Sequence, residues 1–174
     1  MQTSGRIEVQ EFEFTADALQ GDSVVARQIS APWQLSMRGD QISIELAVDT
    51  DWSNLSAQGS LSLAELATWS LEKLLQSQTT VAGEVDLDRL AMMLPQTLQL
   101  REDVRIDSGK LMFQAESEPA ATGFAWTATA SIEGVGGSTR GRPIHLQPVE
   151  AKIVFVASPQ RAQMEQLTFS APFA

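Results

Sequence analysis

Apolar and polar residues alternate with a period of two in one segment after another of this chain, a pattern that fits strands and little else. Ile42, Ile44, Leu46 and Val48 alternate cleanly with polar neighbours, and Phe124, Trp126, Ala128, Ala130 and Ile132 make the longest strict run. Successive side chains of a strand point to opposite faces, so each run gives a strand with one apolar face. Ile29, Ala31, Trp33, Leu35 and Met37 share one parity, and the turn residues Gly39-Asp40 separate them from Ile42 to Val48, which predicts a hairpin. Pro32 has no N–H for a ladder and predicts an edge or irregular place for its strand. Ile7 and Val9 have one parity and Phe12 and Phe14 the other, so a bulge or bend is expected near Gln10.

The alternation lapses into helical spacing at two places that match each other. Gly59-Ser-Leu-Ser-Leu-Ala-Glu-Leu-Ala67 is echoed from Gly83 by Gly83-Glu-Val-Asp-Leu-Asp-Arg-Leu-Ala91, an internal repeat of a strand feeding a leucine-bearing helix. Leu66, Ala67, Leu71, Leu74 and Leu75 fit a helical stripe over Ala64 to Gln76, and Asp88 starts a second short helix that ends before Pro95. Strands resume at Val104 to Ser117, with a tight turn or bulge at Asp107-Ser108-Gly109. They continue from Val149 to Ala157 and from Leu167 onwards. The expected fold is mostly β: a curled antiparallel sheet of about ten strands, as a β-groove (taco) or open sandwich, with two short α-helices. Residues 1–174 read as one β-rich module, a fragment of a longer repetitive protein, because Leu167 to Ala174 reads as a strand in full course.

Composition narrows the function. The net charge of -10, with 12 scattered Lys and Arg residues, repels phosphate backbones, so nucleic acid is not an expected partner. The absence of cysteine removes disulfides, thiol nucleophiles and thiolate metal sites. Met1 is followed by Gln-Thr-Ser-Gly-Arg, which lacks the basic and apolar regions of a signal peptide.

No motif for chemistry survives inspection, and neither catalysis, a metal nor a cofactor is expected. Asp49-Thr-Asp-Trp-Ser-Asn54 places oxygens at alternate positions, but a calcium loop wants glycine where Asn54 stands and glutamate where Ser60 stands. Gly134 to Gly141 is glycine-rich, yet it lacks the Lys-Ser/Thr ending of a phosphate loop and reads as a flexible hairpin tip. His145 is the only histidine, and no Gly-x-Ser-x-Gly elbow accompanies it. Ser108 reads as a turn residue, and Asp86 and Asp88 as solvated carboxylates.

The four tryptophans, Trp33, Trp52, Trp69 and Trp126, fit either of two arrangements. In one, the apolar faces interdigitate as a closed core. In the other they line a trough, in which acyl chains lie across Trp33, Leu35, Ile42, Ile44, Leu46, Leu111, Phe113, Phe124, Trp126, Ile153 and Phe155, held by apolar burial alone. Alternation is the same in both. A β-sandwich protein- or carbohydrate-binding module is the other expectation, with Trp52 as its exposed platform.

From Gly83 the chain reads Leu87-x-x-Leu90-Ala91, then Leu94-Pro95, then Val104-x-Ile-x-Ser-Gly-x-Leu-x-Phe113. In this order of elements it resembles the AsmA-like and TamB-like proteins of bacterial envelopes, over roughly Gly59 to Phe113. The resemblance implies a membrane-anchored, periplasm-facing protein. Its long β-groove would carry phospholipid or another acyl-chain lipid between membranes, or assist outer-membrane assembly, and neighbouring modules of the same chain would be its partners. The sequence departs from the pattern in having no N-terminal membrane helix, in being far shorter than a membrane-spanning groove, and in its two closely spaced helices. Those departures fit a module of a larger chain.

Overall fold

A computed structural model describes residues 1–63, 77–120, 123–158 and 161–171. Ten strands form one antiparallel sheet: β1 (Gln2–Thr15), β2 (Ser23–Arg38), β3 (Gln41–Thr50), β4 (Ser53–Ser62), β5 (Gln78–Asp86), β6 (Val104–Ala120), β7 (Gly123–Thr139), β8 (Arg142–His145), β9 (Val149–Ser158) and β10 (Arg161–Ser170). Strand order follows chain order from β1 to β7, then β9 and β10, with β8 also paired to β7. The sheet is thus an open meander, and β1 and β10 are its edges. One α-helix, α1 (Leu87–Met93), and a 3-10 turn (Asp17–Leu19) complete the described elements. The helix expected over Ala64 to Gln76, with Trp69, lies outside the described residues. The second copy of the repeat behaves as its sequence predicts, with β5 running directly into α1.

Three deviations from simple alternation have local causes. Near the expected bend, Glu11 takes a φ of 55°, and beyond it Phe12 and Phe14 pair with Ala26 and Val24 without any slip in register. Both strands therefore change inward parity together. In β6 the register shifts around Ser108, where Gly109 has a φ of 138°; Asp107-Ser108-Gly109 is a bulge inside one 17-residue strand. A further shift between Met164 and Gln166 puts Met164, opposite Phe155, on the same face as Leu167 and Phe169, opposite Ile153 and Ala151.

Two expectations are met in part. Pro32 sits in an interior strand, between β1 and β3, and takes the irregular place its sequence allows rather than an edge. The β2–β3 ladder is interrupted between Ser30↔Asp49 and Trp33↔Leu46, which accommodates the missing N–H. The glycine-rich run is a hairpin tip only at its end, because β7 continues to Thr139 and the turn is Arg140-Gly141. Glycine is required there by a close approach: a Cβ at Gly137 would overlap the Arg105 carbonyl oxygen. Strands β8 and β9 keep one register against β7, with Gly136↔His145 and Ile132↔Val149. They are two halves of one line, broken where Pro148 has no N–H to donate.

Candidate functional site

Following the register from strand to strand assembles the apolar residues into rows that cross the sheet at right angles to the strands. One row runs Gly5, Trp33, Leu46, Ala57, Val81, Ala115, Ala128, Ile153, Leu167. The next runs Val48, Leu55, Gly83, Phe113, Ala130, Ala151, Phe169. Nine strand positions at about 4.8 Å spacing make the first row about 38 Å long. All eleven residues expected to line a groove occupy register positions on this one face. Leu35 pairs with Ile44 and Met37 with Ile42; Leu111 and Phe113 follow on β6, and Phe124 and Trp126 on β7. Ile153 pairs with Ala128, and Phe155 pairs with Trp126 in the ladder. The sequence reading did not include Leu55, Val81 or Val85, nor the edge residues Ile7, Met164, Leu167 and Phe169. Register, not parity alone, assigns them to this face.

Among the described residues the face is buried at its ends and half-buried along its middle, where Leu46 is exposed. At one end α1 packs against β6 and touches β2 and β5. There Val85, Ala91, Leu94, Ala26 and Val135 are buried, Val85 to 8% exposure. The β1–β2 turn is tied down at the same end. The Asp22 carboxylate, 6% exposed, accepts the Thr97 N–H at 2.7 Å, and the Thr97 hydroxyl donates to the Leu19 carbonyl at 2.7 Å. At the other end Ile42, Leu61 and Trp126 (5% exposed) are buried beside Thr79 and Ser117. The Ser117 hydroxyl accepts the Thr79 N–H at 2.7 Å and donates to the Ser77 carbonyl at 2.6 Å. Ile42 and Trp126 are thus core, whereas Leu46 in the middle row is 39% exposed.

Total surface supports the same division. The accessible area is 11897 Å², against about 8,300 Å² for a compact folded chain of this mass. An excess of that size agrees with one open sheet that carries no second sheet among the described residues. In the middle the side chains meet their row neighbours: Leu55 and Phe113 close over Gly83, where a Cβ would lie 2.5 Å from Leu55 Cδ2. The Trp33 indole lies against Gly5 of the edge strand, 2.7 Å from a Cβ built there.

The motifs weighed for chemistry take up structural roles. Among the described residues no group of three or more His, Cys, Asp or Glu side chains is placed to hold a metal. In the 49–54 turn, Asp49 accepts from Asn54, and Asp51 accepts the Arg27 N–H at 3.1 Å. The Ser108 hydroxyl donates to the Gly134 carbonyl at 3.0 Å and not to His145. Trp52 is half-buried and its indole N–H donates to the Val25 carbonyl at 3.0 Å, so this ring is committed to the β2 backbone. On the polar face Lys110 pairs with Glu84, whose carboxylate holds the ammonium above the ordinary lysine range. No helix among the described residues is long and apolar enough to cross a membrane.

No protein-family model, no curated protein and no solved structure matches this chain.

Proposed function

We propose that this chain is a non-enzymatic module that holds or passes lipid acyl chains along its apolar sheet face. The observation that carries this reading is the pair of unbroken apolar rows through Leu46 and Phe113, which lie between the two buried ends of the face with no second layer over them among the described residues. Burying a methylene contributes about 0.8 kcal/mol, so a chain of about sixteen carbons gains roughly 12 kcal/mol. Association takes back at least about 4 kcal/mol. The remainder, about 8 kcal/mol, corresponds to roughly micromolar binding. No catalytic group is needed for that.

The setting proposed is the bacterial envelope, on the periplasmic side, in a longer chain anchored in the inner membrane and working in lipid transport or outer-membrane biogenesis. Its support is the Leu87 to Phe113 pattern and its resemblance to AsmA-like and TamB-like proteins. The unpaired edges β1 and β10 suit continuation into neighbouring modules. A carbohydrate- or protein-binding role centred on Trp52 has less support, since that ring is half-buried and hydrogen-bonded to the backbone.

The test is mass spectrometry of lipid extracted from the purified protein, paired with displacement of a fluorescent polyene fatty acid. Bound phospholipid or fatty acid is expected in the wild type, and it should be lost in Leu46→Asp and Phe113→Asp with the circular dichroism spectrum retained. Protein free of lipid that also fails to bind the fluorescent acid would sink the proposal.

A further inference from the structure

The opposite, polar face carries two cavities that the lipid reading does not use. A twisted sheet is saddle-shaped, so each of its faces is concave along one diagonal. A cavity of about 730 Å³ lies over β1 to β6, and another of about 440 Å³ over β6 to β10. Gln114 lines both, so they adjoin in a trough that crosses the strands. Its depth has a cause in the sequence, because Ala47, Ser56 and Ala82 stand in consecutive register on β3, β4 and β5 and leave a low floor. Beside that floor runs a taller row, Gln34, Glu45, Gln58, Thr80, from β2 to β5.

The chemistry of the lining selects among ligands. The larger cavity has one cation, Arg6, and one anion, Glu45; the smaller has Lys152 and Glu150. Neither sign prevails, which disfavours both polyanions and polycations despite the net charge of the chain. The remaining polar groups are primary amides (Gln34, Gln58, and Gln114, which donates to Glu116) and hydroxyls (Ser4, Ser56, Thr80), which offer donors and acceptors side by side. The backbone beneath is paired on both sides in the ladders of β2 to β5 except where β2 and β3 part beside Pro32, so an extended peptide finds no strand edge here. Each strand advances the trough by about 4.8 Å, close to the length of one pyranose ring.

From these features we infer that the polar-face trough is a binding site for an uncharged, extended oligosaccharide, lying across the strands with about one sugar per strand. Trp33, Leu46, Ala57 and Phe113 border these cavities too, but strand parity puts their side chains on the apolar face, so the substitutions that test this site leave the lipid-lining side chains in place.

The experiment is a ¹H–¹⁵N titration of the full chain with cellohexaose, and with maltohexaose as a coiled neutral control. Cellohexaose is expected to shift amide resonances in β2 to β5 around Gln34, Ser56, Gln58 and Ala82. Gln58→Ala should weaken it about tenfold, the loss of one or two hydrogen bonds. Ala82→Trp fills the floor and should abolish binding, and its folding is checked by the same spectrum. If that variant misfolds, the double variant Gln34→Ala, Gln58→Ala takes its place, with about a hundredfold loss expected. Three results would each overturn the inference: no shifts at millimolar cellohexaose, equal shifts with both sugars, or binding that survives these substitutions.

Discussion

The two ends of the apolar face and its middle are built from the same alternation, yet they do different work. At the ends, side chains have something to pack against. Val85 meets α1 and the segment after it, and Trp126 sits with Ile42 and Leu61 over the hydrogen-bonded Thr79 and Ser117. In the middle, Ala57 and Val81 are half-buried and their row neighbour Leu46 is exposed. The repeat shows the contrast compactly. Leu61 and Val85 hold equivalent places in its two copies, β4 and β5 run antiparallel, and the two residues fall in opposite end clusters, both buried. Burial among the described residues is therefore concentrated at the ends, and the middle is the less covered part of the face.

The sharpest way to break this comparison is a pair of truncations read by urea unfolding. Trp126→Ala empties a buried place and should cost about 3–5 kcal/mol, whereas Leu46→Ala, at a site already 39% exposed, should cost under about 1.5 kcal/mol. Equal losses would mean that the middle is core. The next effect in size concerns the tie at the α1 end. Asp22→Ala leaves the Thr97 N–H without its acceptor and should cost about 1–3 kcal/mol, and amide exchange should rise in the β1–β2 turn and after α1 while β4 and β5 stay protected. Exchange rising uniformly would show that the end is not a separate unit. A smaller effect is expected on the half-exposed middle: adding saturating fatty acid should protect Leu46 and Val81 amides more than those of Val85 and Ala91. The smallest belongs to the exposed Lys110–Glu84 pair on the polar face. Glu84→Gln should leave the unfolding midpoint unchanged near neutral pH. The sign follows from the raised pKa of Lys110: whatever the pair contributes is present below the ordinary lysine pKa and is lost as pH rises through the raised one. Any difference between variant and wild type should be small at neutral pH and vanish in strongly alkaline buffer; one that appears only in alkaline buffer would contradict this.

Much of the architecture could be read from residues alone. Gly39-Asp40 marks its hairpin, Asp88 and Pro95 mark α1, which starts one residue earlier at Leu87, and the alternating runs place all eleven groove residues on one face. What escaped that reading depends on neighbours distant in sequence. Pro32 is tolerable inside the sheet because the ladder lapses beside it, and at Gly137 the strand has room for no side chain because the Arg105 backbone approaches it. Trp52 was expected at the surface, but the Val25 carbonyl that holds its indole lies on another strand. Bulges are hard to see for a related reason: one added residue exchanges the faces, and only the partner strand reveals that Met164 and Leu167 lie on the same side.

The residues alone dictate that this chain makes strands with one greasy and one polar side, because side-chain direction along a strand is a local property of the backbone. How far the greasy side is covered is set by the tertiary structure, and among the described residues its middle is covered less than its ends. Whether two faces meet depends on how far the sheet twists and on what lies across it, and those are relations between strands that no single run of residues encodes.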